Sequence, residues 1–332
     1  MTSIIASLST TQIKALSTAT IVSLTTEDMA ALSSAQIKVL SSAQIAAIET
    51  GDLAALSSSQ LSAVSANAVV GLSADQLAVI DSAKIASMAT SQVAAFSSAQ
   101  IGVFTTDQAA ALTTAQIGVL GSAAIAALGT DDLATFSTDE IQAINAKAIA
   151  GLSTATVSTL DAATIGVLTS TQVAALTTAQ IGVLTTDQVA ALTTAQVSSL
   201  SSTQAAAIST ANIAVLSDAQ VAALGSKAVA ALTTTQIGAL TTDQAAALTT
   251  SQIGALGSAA IAALGTDDLA TFSTDEIQAI NAKAIAGLST ATVSTLDAAT
   301  IGVLTSAQIA ALTSTQIGVL TTDQVAALTT AQ

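Results

Sequence analysis

The sequence predicts an all-α fold, an α-solenoid (superhelix) of about 41 eight-residue repeats, each a short capped helix, around a continuous Leu/Ile core. Three observations predict it. An apolar pair three residues apart recurs every eight residues, a capping-box spacing recurs in phase with that pair, and every acidic residue falls in the first half of its octad.

Counting from Leu8, every eighth residue through Leu328 is Leu, Ile, Val, Met or Phe, and no insertion breaks the register. Three residues earlier stands a second apolar residue, as in Ile13, Ile21, Met29, Ile37 and Ile45, reduced to alanine at Ala109, Ala205 and Ala245. The four Phe (Phe96, Phe104, Phe136, Phe272) occupy the Leu position. The consensus is [ST]-[ST]-x-Q-[IV]-[AG]-[AV]-L, numbered below as positions one to eight. Residues three apart share a face in a helix and oppose each other in a strand, so Ile and Leu bury together only in a helix. Abundant Ala agrees, being the strongest helix former. One long helix fails, because eight residues at about 100° each rotate the stripe by about 80° per octad. The helix must break once per octad.

The polar residues mark the break. Thr177 and Gln180, Ser33 and Gln36, Thr185 and Gln188, and Thr321 and Gln324 have the S/T-x-x-Q spacing of a capping box. Here the hydroxyl accepts an orphan N–H of the first turn and the glutamine accepts the N–H of the cap residue. Glu27, Asp28, Asp107 and Asp187 lie where a helix N-terminus attracts negative charge. Asp81, Asp161 and Asp297 replace the capping hydroxyl residue. Lys84, Lys147, Lys227 and Lys283 do not follow this charge rule. Gly121, Gly129, Gly225, Gly257 and Gly265 take the junction, where a left-handed or open backbone would be tolerated. Gly118 and Gly182 read as points of close helix contact.

Each octad is then expected to be a helix of about six or seven residues followed by a sharp corner. Burying its Ile and Leu contributes roughly 1.5–3 kcal/mol each, whereas ordering eight residues costs about 1–2 kcal/mol apiece, so stacking must supply the rest. Small residues at position seven (Ala47, Ala55, Val119, Ala191) are expected to let turns approach. One elongated domain is expected over residues 1–332, with 105–168 duplicated as 241–304 and only Ala115→Ser251 and Val119→Ala255 changed. A weaker copy of 129–168 begins at Glu49. These offsets of seventeen and ten octads share no common factor, which implies nearly equivalent octads and a turn of non-integral octad number.

Composition bounds the chemistry. The 332 residues include no His, Cys, Arg, Trp, Tyr or Pro, which removes the usual neutral-pH base, the thiolate nucleophile and the nitrogen and sulfur metal ligands. This argues against an enzyme and for no catalytic residue. The Ser226–Lys227 pair is read as an ordinary octad start, since Ser or Thr is general at that position. Haem binding is discounted for want of axial ligands. A net charge of −15 disfavours nucleic acid as a partner. Ser, Thr, Gln or Asp interrupts every octad, so no stretch approaches the roughly 20 apolar residues of a spanning helix and no membrane insertion is expected. The start, "MTSIIASLSTTQIKAL", lacks the basic region of a cleaved signal peptide.

The segment "GTDDLATFSTDE" places Asp131, Asp132, Asp139 and Glu140, and again Asp267, Asp268, Asp275 and Glu276, one octad apart. Such carboxylates are weak calcium candidates. The reading as helix-start acids is preferred, because single acids hold these positions elsewhere and no EF-hand spacing occurs. No cofactor is otherwise expected.

The run "LTTAQIGVLTTDQVAALTTAQ" resembles the octad arrays of very large, acidic, cysteine-free bacterial surface proteins, of adhesin-like or haem-utilisation-like type. Similar units occur in superhelical animal surface proteins of the mesothelin type. The resemblance covers essentially the whole chain and carries over no catalytic residue. It implies an extracellular or cell-surface location reached without a cleaved N-terminal signal.

The expected function is therefore an extracellular structural or adhesive repeat protein, a filament, sheath, surface-layer or stalk subunit. Apolar residues in the first and last octads lead to the expectation that it associates with itself head-to-tail, and its few charges add lateral packing. The alternative is an ice- or crystal-surface binder using Thr/Ser ladders. Helix neighbours 8–10 Å apart and the engagement of the first Thr in capping weigh against it.

Overall fold

In the computed structural model, which describes residues 4–332, forty short α-helices follow a 3₁₀ turn at Ile4–Ser7, from α1 (Thr10–Lys14) to α40 (Thr322–Ala326). The described residues contain no strand. They divide into two compact units at Val167/Leu168. Each unit is an α-solenoid.

Every helix starts one residue after position one. Ser57, for example, has extended backbone (φ −68°, ψ 161°) and accepts the N–H of Gln60. Helices span four to six residues, shorter than the six or seven expected, because the chain turns at Leu itself. Leu56 (φ −61°, ψ 134°) and Ser57 are both extended, so the corner consists of two residues in ordinary backbone conformations. No residue, glycine included, has positive φ among the described residues. The junction glycines are thus not left-handed: Gly121 (φ −81°) and Gly225 (φ −62°) are extended N-cap residues.

Helices pack against the third helix onward, as α28 (Ser226–Ala230) does on α31 (Thr250–Ala255), and α31 on α34 (Thr274–Ala279). The Ile at position five and the Leu at position eight form the core of each unit; Ile181 and Leu184 are 1% and 5% exposed. Position seven is mostly half-buried, with Val119, 43% exposed, among the more open sites. Turns approach at position seven as expected, met by position six of the neighbouring turn: a Cβ on Gly118 would stand 3.4 Å from Ala143 O. They approach more closely at Gly151 and Gly287, where a Cβ would lie 2.4 and 2.1 Å from the carbonyl oxygens of Ser122 and Ser258.

Core and surface assignments separate in a simple test. Leu184→Asp puts an unpaired charge in the core and should cost about 3 kcal/mol or more, whereas the exposed Thr186→Ser should stay within about 0.5 kcal/mol of the parent. Thermal unfolding followed by circular dichroism reads both; equal losses would mean the faces are reversed.

Candidate functional site

The most organised polar feature is a ladder of buried glutamines at position four. Its local half is the capping box. The Oε1 of Gln244 accepts the N–H of Thr241 at 2.8 Å, while Thr241 Oγ1 accepts the N–H of Gln244 at 3.2 Å. Its other half spans turns. Gln244 Nε2 donates to Ile213 O at 2.9 Å and Leu216 O at 2.6 Å, 31 and 28 residues earlier. Gln76 makes the same pair to Ile45 O and Ile48 O, and Gln252 to Val221 O and Leu224 O. Each such glutamine reaches the octad four before its own, whereas helices pack on the third, so a turn takes between three and four octads.

These side chains are nearly sealed from water; Gln116, Gln172 and Gln252 are each 1% exposed. No buried side-chain nitrogen or oxygen among the described residues lacks a hydrogen-bond partner. Sequence reading identified the capping half and missed the cross-turn half. Two signals pointed to it. A capping box accepts Glu as readily as Gln, and a helix N-terminus favours the acid, yet Gln dominates position four. Gln92 also persists where Ala89 offers no capping hydroxyl, and it still donates to Leu61 O and Val64 O.

Departures at position four follow the same demand. Lys84 Nζ donates to Ala54 O at 2.7 Å and pairs with Asp81 at 3.0 Å, which accounts for one lysine that the charge rule left unexplained. Asn212 Nδ2 donates to Leu184 O. Asp52 is buried and accepts from Thr26 Oγ1 at 2.6 Å.

Four of the eight acidic candidates bond at helix starts and four lie exposed in the first turn. Asp132 and Asp268 accept the N–H groups of Gly129 and Gly265, and Glu140 and Glu276 accept those of Ser137 and Ser273. Asp131, Asp139, Asp267 and Asp275 are exposed at position three. Among the described residues no three acidic side chains converge as a metal-holding group.

Asp161 and Asp297 cap as expected, each accepting a helix N–H at 2.6 Å, from Thr164 and Thr300. Hydrogen bonds from the Thr164 and Thr300 side chains, and then from their backbone N–H groups, hold both carboxyls below the ordinary value of 3.8. Asp81 is lowered likewise by Lys84.

Residues 21–48, 45–82, 77–114, 165–202, 202–234, 219–250, 229–258 and 299–330 match the ALTTAQ repeat, together more than half of the chain. The chain belongs to the ALTTAQ repeat family. No curated protein matches it. The six letters appear verbatim at Ala111–Gln116, Ala175–Gln180, Ala191–Gln196 and Ala327–Gln332 and run from position seven to position four of the next octad. The ALTTAQ motif is thus the corner, the cap and the cross-turn glutamine, so the family signature is the part of the octad that joins turns. Residues 115–164 and 259–298 fall outside the matched ALTTAQ stretches.

Two outcomes follow. Gln244→Glu keeps the acceptor and removes both cross-turn donors, so it should lower stability by about 1–3 kcal/mol in thermal unfolding at pH 7. A parent-like midpoint would refute the ladder's contribution. The folded carboxyl of Asp297 titrates below 3.8, so it adds stability above that pH and loses it as pH falls through the folded value. Asp297→Asn should therefore melt below the parent at pH 7, with the gap closing as pH falls below 3.8 through the folded value.

Proposed function

We propose that this ALTTAQ array is a structural repeat protein of the cell surface, whose work is to span distance and present a repeating face. The observation that carries the reading is the equivalence of the octads: Gln76, Gln108, Gln252 and Gln324 make the same two cross-turn bonds. Repetition therefore lengthens the array without demanding new geometry, which suits the near-verbatim reuse of 105–168 as 241–304. The surface location rests on the resemblance to large acidic bacterial surface proteins. No helix among the described residues is long and apolar enough to cross a membrane. Lateral association between copies is part of the proposal, supported by the low share of charged residues, 8%, and by the exposed Val103, Val183 and Val215 at position seven.

Variants carrying two, four or eight extra octads copied from 169–200 test the spanning role. Particle length in electron micrographs should grow in proportion to octads added, while the melting temperature changes little. A length that does not follow octad number would overturn the spacer reading. Sedimentation at micromolar concentration tests association separately, and a dispersed monomer would remove that part alone.

A further inference from the structure

The glutamine ladder is interrupted twice, in the same way. From 121 to 168 position four holds Ala124, Asp132, Glu140, Ala148, Thr156 and Thr164, and from 257 to 304 it holds Ala260, Asp268, Glu276, Ala284, Thr292 and Thr300. None is a residue type with the long amide donor. A carboxylate accepts the cap N–H and has no proton to give, and Ala and Thr are too short to reach across. Six consecutive octads exceed one turn, which takes between three and four. At each block, more than a full turn is therefore laid on the preceding turns without the buried position-four amide bonds; the glutamine bonds across turns there are exposed ones, from Gln142 Nε2 to Val167 O at 3.0 Å and from Gln278 Nε2 to Val303 O at 3.1 Å. Elsewhere past residue 32 the gaps are single octads flanked by glutamine, such as Asp52, Ala68, Lys84 and Ala228.

What joins these turns is apolar core contact together with exposed polar contacts such as Thr130 to Thr159 at 3.2 Å and Thr266 to Thr295 at 3.3 Å. The carbonyls that a glutamine would hold belong to octads 89–136 and 225–272, and all four Phe lie there, at Phe96, Phe104, Phe136 and Phe272. Phe96 and Phe104 meet edge to face with centroids 5.7 Å apart. A small apolar cavity of about 10 Å³, lined by Ile285, Leu288, Val293, Leu296, Thr300 and Ile301, lies in the core of the second block. The two stretches outside the ALTTAQ matches, 115–164 and 259–298, largely coincide with these blocks.

We propose that residues 121–168 and 257–304 are built-in yielding segments, the turns at which the array opens first under heat or load. Apolar contact is non-directional and tolerates sliding, whereas a buried amide bonded to two carbonyls permits one register. Opening therefore begins where the amides are missing and stops at the glutamine-bearing octads on either side. The inference rests on the ladder and not on the surface role, so it stands or falls separately.

Native-state hydrogen exchange of the full chain, read by mass spectrometry, tests it. Peptides from the two blocks are identical in sequence and report together. Their amides should exchange at least about tenfold faster than those of the glutamine-bearing octads 169–208. Ala260→Gln, Asp268→Gln, Glu276→Gln, Ala284→Gln, Thr292→Gln and Thr300→Gln, combined in one chain, give the second block its own peptide masses and leave the first as an internal reference. The restored block should then exchange at least about tenfold more slowly than 121–168 in the same molecule. Equal protection of blocks and glutamine-bearing octads in the parent chain would overturn the proposal, even if the six-fold variant failed to fold. So would a folded variant whose two blocks exchange alike.

Discussion

A helix of four to six residues leaves almost all its end groups unsatisfied, and the position-four glutamine closes both ends at once. Four N–H groups at the start and four carbonyls at the end of any α-helix lack helical partners, so at this length nearly the whole element is terminus. Gln244 Oε1 accepts the cap N–H of its own helix, while its Nε2 takes carbonyls from the end of another helix, at Ile213 and Leu216. One side chain thus pairs the start of one octad with the finish of another, and does so in a site closed to water. An octad in this arrangement is held at both ends. Within it, folding and stacking are the same event.

The choice of amide over acid follows from that double duty. The charge preference of a helix start favours Glu at position four, and Asp is common one residue earlier, at exposed sites such as Asp107 and Asp187. Only the amide, however, both accepts and donates from one planar group. The substitutes define the demand further. Lys84 keeps a cross-turn donor at the expense of the acceptor, and Asp81 neutralises it. Asn212, one methylene shorter, keeps the bond to Leu184 O.

What was legible in the sequence was whatever lies within eight residues. Helix starts, caps, corners and the two core positions all follow from local spacing, and Asp161 and Asp297 cap where Ser or Thr is replaced. The cross-turn bonds were not legible, because their partners lie 28 and 31 residues away and the acceptors are backbone carbonyls with no residue identity to read. The junction glycines take the open of the two backbones that the sequence allowed. A corner made of two extended residues needs no special φ, so Gly121 and Gly225 stand where Ser or Thr would serve. Gly151 and Gly287 do carry a requirement, but it is set by Ser122 O and Ser258 O in a neighbouring turn.

Near-equivalence of octads explains why segments can be copied at any octad boundary. A ladder whose rungs join an octad to the fourth before it, on helices that pack with the third, assigns no octad a unique place in a turn. Offsets of ten and seventeen octads are then equally acceptable, since each copied octad meets carbonyls of the same kind wherever it lands. The block from 105 to 168 shows what such copying preserves. It carried its six glutamine-free octads together with Phe136 into a second site as Phe272, so the loss of directional bonds and the larger apolar side chain travelled as one unit. A turn that gives up its amides and keeps its place in the stack has to be apolar enough to do so. Phe136 and Phe272 lie in such turns, whereas Phe96 and Phe104 share octads with Gln92 and Gln100.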